Sequence, residues 1–211
     1  MNKYLAEFTG TLMLVTAVVG SGIMATQLTQ DIGLQLLVNA ISTTLVLAII
    51  IVLFKETSGA HFNPAVTLVA LLRKNLALKQ AAGYVVGQLI GGLIGVTLAH
   101  AMFGLAIIET SKHSRSGIGL LLGELVATFG LVIIVLKPNI KHEFFVPAWI
   151  CGAYFFTSST SFANPAVTIS RAFTDSFAGI SPSSLTGFIS AQLIGALIGL
   201  GYSKQTEGKN A

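Results

Sequence analysis

Asn63-Pro64-Ala65-Val66-Thr67 and Asn164-Pro165-Ala166-Val167-Thr168 are two copies of one stretch. Asparagine is a preferred helix N-cap, because its side-chain oxygen accepts from a first-turn N–H. Proline suits the next position, where a missing N–H has no partner to lose. Each copy therefore starts a helix. The apolar residues that follow, Pro64–Arg73 and Pro165–Thr174, are too few to cross a membrane. About ten residues make about 15 Å of helix, half of a hydrocarbon core of about 30 Å. The stretches leading in, Ser58-Gly59-Ala60-His61-Phe62 and Ser159-Thr160-Ser161-Phe162-Ala163, have no helical pattern.

Around these half-spans the composition is that of an integral membrane protein. Of 211 residues, 53 % are apolar and 9 % charged, where a soluble domain carries about 25 % charged residues. Mean hydropathy is +0.81. Six stretches approach the roughly 20 apolar residues that a spanning helix needs. They are Tyr4–Thr26, Leu34–Phe54, Ala81–Gly104, Gly117–Leu136, Phe144–Thr160 and Ser184–Tyr202. The expected fold is an all-α membrane protein, with six transmembrane helices plus two re-entrant half-helices in a single channel domain over residues 1–211. A soluble enzyme is excluded, and so is a nucleic-acid module, because the 12 Lys and Arg form no run. One cysteine, Cys151, excludes an internal disulfide and reads as a small buried apolar residue. The first apolar stretch reads as a span, with no cleavage site of the secretory type after a basic start.

The doubling extends beyond the Asn-Pro-Ala boxes. Gln88-Leu89-Ile90-Gly91 recurs as Gln192-Leu193-Ile194-Gly195, and Glu7 with Thr11 recurs as Glu124 with Thr128. The repeats cover about 1–105 and 117–204. Each holds three spans, an odd number, so the second must lie inverted relative to the first, with the site near the midplane between them. Gly83, Gly87, Gly91 and Gly95 recur as Gly187, Ala191, Gly195 and Gly199. Small residues every four positions make a groove for close backbone approach, which reads first as helix–helix packing and is also of the kind a wedged half-helix needs. Positive charge sets the orientation. Lys3, Lys55, Arg73, Lys74, Lys79, Lys137, Lys141, Lys204 and Lys209 fall on one side, and Lys112, Arg115 and Arg171 on the other. Both termini are expected in the cytoplasm of a multi-pass protein of the cell (plasma or inner) membrane.

Two helix starts that meet at mid-membrane need a polar cavity, because irregular backbone survives there only if it lines one. Their positive ends face each other, the Asn amides offer donors, and the lead-in carbonyls offer acceptors above and below. Such a path suits small neutral molecules and opposes cations and protons.

With these residues the chain resembles the aquaporin or major intrinsic protein family, from Ala6-Glu7-Phe8-Thr9-Gly10-Thr11 to the sixth span. It looks closest to bacterial members with Val in place of the filter Arg. The resemblance implies passive flow of water and small uncharged solutes, through one pore per subunit of a homotetramer in the lipid bilayer. It implies a pore centre of Asn63, Pro64, Ala65, Asn164, Pro165 and Ala166. It also implies that Glu7 and Glu124 anchor the re-entrant loops. The filter falls by offset at Thr43, Gly152, Ser161 and Val167, with Tyr154 or Phe155 as alternatives to Gly152. Family members usually carry Arg where Val167 stands, and glycerol conductors carry Asp where Thr168 stands. Without that Arg the filter is expected to be wide and uncharged, admitting metalloid acids such as arsenite or small polyols. A strict water channel is the alternative.

Arg171 lies four residues past Val167 and so on the same helix face. It is expected either to face the outer vestibule and restore part of the missing positive field, or to make an exposed cap contact with Asp175. His61 is expected at the pore mouth, lending its carbonyl rather than binding metal. His100, His113 and His142 read as isolated loop or span-end residues. No catalytic pair, metal set or cofactor motif stands out. A coupled secondary transporter also uses inverted repeats, but coupling needs ionisable groups in the pathway. A closed adhesion protein would carry long tails.

Overall fold

The computed structural model describes residues 2–207. Lys209, one of the charges counted above, lies outside them. Among the described residues the order is α1 (Lys3–Leu28), α2 (Ile32–Ser58), α3 (Pro64–Leu72), α4 (Leu78–Met102), α5 (Ile118–Leu136), α6 (His142–Phe156), α7 (Pro165–Ser170) and α8 (Leu185–Glu207). The architecture is all-helical. Of the described helices, five are long and apolar enough to cross a membrane on length and composition. The other candidate span, α6, has 15 residues, about 22 Å of helix. It ends four residues before the expected Thr160, because the chain turns extended at Thr157.

The two half-helices are unequal. α3 has nine residues. α7 has six and then tightens into a 3₁₀ turn, Arg171–Phe173. The carbonyls of the 3₁₀ turn are taken by other segments. The loop before α5 donates Glu109 N–H to Phe173 and Ser111 N–H to Ala172, and Ile180 N–H goes to Arg171. Carbonyls drawn sideways cannot continue an α-helical ladder.

Within each repeat the first long helix lies against the last, α1 on α4 and α5 on α8. The glycine stripes explain the closeness. A Cβ on Gly91 would stand 2.3 Å from the Phe8 carbonyl oxygen, and one on Gly195 would stand 2.4 Å from that of Leu125. Phe8 and Leu125 follow Glu7 and Glu124, so the two contacts are the same contact in each repeat. The groove therefore receives a full-length helix, as helix–helix packing on small residues predicts, rather than a wedged half-helix. α7 instead meets α4 at the neighbouring Gly92, where an added Cβ would strike Ser170. α3 packs across the repeat boundary, with Ala65 and Val69 against Val132, Ala196 and Leu200. Each half-helix is thus clamped between the repeats, with its start at the centre of the bundle.

Candidate functional site

Glu7 and Glu124 are fully buried, and each is surrounded by donors. Glu7 accepts from Ser58 Oγ at 2.6 Å, His61 N at 3.0 Å, Phe62 N at 2.7 Å and Gln88 Nε2 at 2.8 Å. Glu124 accepts from Phe162 N and Ala163 N, each at 2.8 Å, and from Gln192 Nε2 at 2.6 Å. Charge-assisted bonds of this kind are roughly twice as strong as neutral ones. They hold two loops in a conformation that side chains disfavour. Ala60 and Phe62 before Asn63, and Ser161 and Ala163 before Asn164, all have φ between 48° and 51°. In a trans peptide the carbonyl points opposite to the next N–H. N–H groups turned toward the glutamates therefore turn the carbonyls of Ala60, His61, Ser161 and Phe162 away from them.

The two boxes meet as capped helix starts. Asn63 Oδ1 accepts from Ala65 N at 2.8 Å, and Asn164 Oδ1 accepts from Ala166 N at 3.0 Å and Val167 N at 3.3 Å. Each amide nitrogen crosses to the other repeat. Asn63 Nδ2 donates to the Ala163 carbonyl and Asn164 Nδ2 to the Phe62 carbonyl, both at 2.8 Å. An amide has two N–H donors, so the clasp leaves one on each Asn.

A cavity of about 570 Å³ runs past this clasp, with both Asn on its wall. One end lies among Lys3, Lys55 and His142, and the other among Thr43, Tyr154, Ser161, Val167 and Arg171. The wall divides by chemistry. Ala60, His61, Phe62, Ser161, Phe162 and Ala163 supply the polar stripe, while Leu14, Val18, Leu47, Ile51, Val66, Leu131, Val146 and Ile150 are apolar. The lining therefore combines segments of exposed-backbone loop with apolar side chains from the long helices.

The expected filter positions do not all reach this cavity. Thr43, Ser161 and Val167 line it. Gly152 does not: it is exposed, and a Cβ there would come no nearer than 3.8 Å to the Phe156 ring. Phe155 is 51 % exposed. Tyr154 lines the cavity and is buried. The reason is helical phase. Val146, Ile150 and Tyr154 are four apart and share one face, and residue 152 falls on the opposite one. On another side of α6, Trp149 donates Nε1–H to the Ala127 carbonyl of α5 at 2.9 Å.

Arg171 is 2 % exposed and on the cavity wall. Its guanidinium lies over the Phe162 ring, 3.4 Å from the centroid, and its Nε donates to the Ala178 carbonyl. The alternative contact with Asp175 is not made. Asp175 accepts from Lys112 N at 2.8 Å and lies 3.7 Å from His113 Nε2. Ser161 Oγ has no partner among the described residues, and Thr43 Oγ1 lies beside the Tyr154 hydroxyl but outside hydrogen-bond geometry.

His61 is on the cavity wall with Nδ1 3.1 Å from Thr67 Oγ1. Among the described residues no group of His, Cys, Asp and Glu could hold a metal ion. His142 and His100 stand at span ends as the sequence suggests, at the start of α6 and near the end of α4, but His100 is not isolated. His142 lines the Lys55 end of the cavity. His100 is buried, with Nδ1 2.5 Å from the Ala106 carbonyl and Nε2 2.7 Å from Thr174 Oγ1, and it ties α4 to the segment beyond α7. Neither has a spacing signal that would have marked it.

Residues 1–157 match the family model described as Major intrinsic protein. The chain is 47 % identical over 204 residues to Aquaglyceroporin AqpS of Rhizobium meliloti, covering 94 % of this chain and 87 % of that protein. It is 32 % identical over 176 residues to the Aquaglyceroporin of Toxoplasma gondii, covering 80 % of this chain and 64 % of that one. Among solved structures it is similar to the aquaglyceroporin from Plasmodium falciparum, with a TM-score of 0.71 at 20 % identity, over 95 % of this chain and 93 % of the other. That similarity concerns the fold.

Proposed function

The chain belongs to the major intrinsic protein family, whose members are membrane channels and not enzymes, and from that premise we propose that it conducts water and small uncharged solutes passively. The observation that carries this reading is the crossed amide clasp of Asn63 and Asn164 on the wall of one cavity. Each Asn keeps one N–H for a passing oxygen. A water at the centre accepts from both and turns its own hydrogens outward in opposite directions. No chain of like-oriented donors then crosses that point, and the first-turn N–H groups of α3 and α7 add positive potential against cations. The carbonyl stripe takes over the solute's hydrogens on either side, while the apolar wall keeps it on that stripe.

The domain is residues 1–211, with the Lys55 end of the cavity and both termini in the cytoplasm and the Arg171 end outside. The filter is Thr43, Tyr154, Ser161 and Val167, with the positive charge supplied by Arg171. Hydroxyls from Thr43, Tyr154 and Ser161 favour small hydroxylated solutes, which extends the reading to small polyols and to metalloid acids such as arsenite. The relatives named aquaglyceroporins support that extension. The subunits assemble as homotetramers. Glu7 and Glu124 hold loops rather than carry protons, which sets coupled transport aside.

A second reading, a strict water channel, is favoured by one observation: both Tyr154 and Arg171 line the cavity, and a bulky ring and a cation there oppose a wide, uncharged filter. Stopped-flow shrinkage of proteoliposomes with water, glycerol, urea and arsenite in parallel separates the two. Passage of glycerol or arsenite above protein-free liposomes is expected. Exclusion of every solute but water selects the second reading. Arg171→Ala in the same liposomes is expected to raise proton and cation leak, and unchanged leak removes the charge assigned to Arg171.

A further inference from the structure

We infer that Arg115, which does not line the cavity, is a positioning residue that sets where the Arg171 charge stands. The inference rests on the reading of Arg171 given above. Arg115 comes from the segment between α4 and α5, well separated in sequence from Arg171. Both guanidinium groups use one aromatic plate, Phe162, with Arg171 at 3.4 Å and Arg115 at 5.1 Å from its centroid. The plate itself is held. Phe162 N donates to Glu124, and its ring meets Phe188 edge-on at 5.2 Å.

The two arginines also share one run of backbone. Arg115 Nε donates to the Gly179 carbonyl at 2.9 Å and Nη2 to that of Phe177 at 3.5 Å, while Arg171 Nε takes Ala178 between them. Arg115 N is fastened in turn to Ser184 Oγ at 3.0 Å. Arg115 therefore fixes the carbonyls on either side of the one that holds Arg171. Two like charges on one plate also repel, strongly so in a low-dielectric setting. The cation fastened from the loop side biases the other toward the cavity. Without Arg115, the 177–179 backbone can turn and the Arg171 guanidinium can withdraw from the filter.

The test is a double-mutant cycle in proteoliposomes, with proton and potassium leak and urea flux measured side by side. Arg171→Ala alone tests the underlying reading. If it leaves the leak unchanged, that reading falls and this inference falls with it. If it raises the leak, Arg115→Ala is expected to raise leak several-fold in the wild-type background, to keep urea flux near wild type, and to add nothing in the Arg171→Ala background. No effect, a fully additive effect, or a parallel change in leak and urea flux overturns the positioning role and leaves the reading of Arg171 intact. Arg115→Lys keeps a cation but loses the fork that spans two carbonyls. It is expected to leak at an intermediate level, and it decides the question if Arg115→Ala does not fold. A Lys variant that matches wild type overturns the role.

Discussion

The side-chain amide of Asn164 donates to the backbone carbonyl of Phe62 at 2.8 Å, from one repeat to the other across the centre of the bundle. The same side chain caps α7 through its oxygen. One residue thus starts a helix, joins the repeats and keeps one N–H donor, which the proposed function assigns to the solute. Asn164→Asp separates these roles, because Asp caps as well as Asn. The variant is expected to keep its helix content by circular dichroism. Loss of the donor to a buried carbonyl is expected to destabilise it by about 1–3 kcal/mol, read as a lower unfolding temperature in detergent. A carboxylate at mid-pore is also expected to admit cations, measured by a potential-sensitive dye.

The carboxylate of Glu124 takes three donors. Glu124→Gln keeps the shape but offers one oxygen and points an NH₂ at a neighbouring N–H. Bonds to a charged group contribute about 1.5–3 kcal/mol each, so losing one is expected to cost about that much in unfolding free energy. The larger effect is on the loop. Ser161 and Ala163 lose the restraint on their left-handed backbone, and water permeability is expected to drop toward that of protein-free liposomes.

Glycine at 91 answers to the Phe8 backbone, which has no flexible end to move aside. Gly91→Val is expected to cost about 1–3 kcal/mol through overpacking. Gly201 has nothing within 4 Å of a Cβ, so Gly201→Ala is expected to be neutral or stabilising by up to about 1 kcal/mol through helix propensity. Thermal unfolding of the two variants in one detergent compares them. A Gly91→Val protein as stable as wild type contradicts the close α1–α4 contact.

Tyr154 and Gly152 sit on opposite faces of α6, with Tyr154 on the cavity. Tyr154→Ala is expected to raise glycerol and arsenite permeability several-fold. Gly152→Ala is expected to leave both unchanged. Solute flux that follows residue 152 instead would place the wrong face of α6 on the pore.

Much of this was legible in the residues. Asn63-Pro64 and Asn164-Pro165 are local cap signals, and the repeated Glu, Gln and Gly positions are matched in order. The starts of α3 and α7 follow from those, because capping acts over a few residues, but the six-residue length of α7 does not, because it depends on contacts beyond its end. The rotation of α6 was not legible by counting offsets from a box. It depends on how α6 packs against α2 and α5, including the Trp149 bond to Ala127. The stripe Val146, Ile150, Tyr154 was nonetheless present at four-residue spacing and pointed to the right face.

The surroundings of Arg171 lay further out of reach. Spacing alone placed it one turn beyond Val167, and the choice between a vestibule charge and an Asp175 contact stayed open. The fold decided it by bringing a distant loop over the end of α7, where Arg115 and the carbonyls of Phe177, Ala178 and Gly179 surround the guanidinium. The chain's own order determined where the half-helices begin and which residues recur between the two halves, since those depend on neighbours a few positions apart. Which face of α6 meets the cavity and which cation stands at its end were decided by tertiary contact, because they depend on non-repeating segments that meet only after the helices have packed.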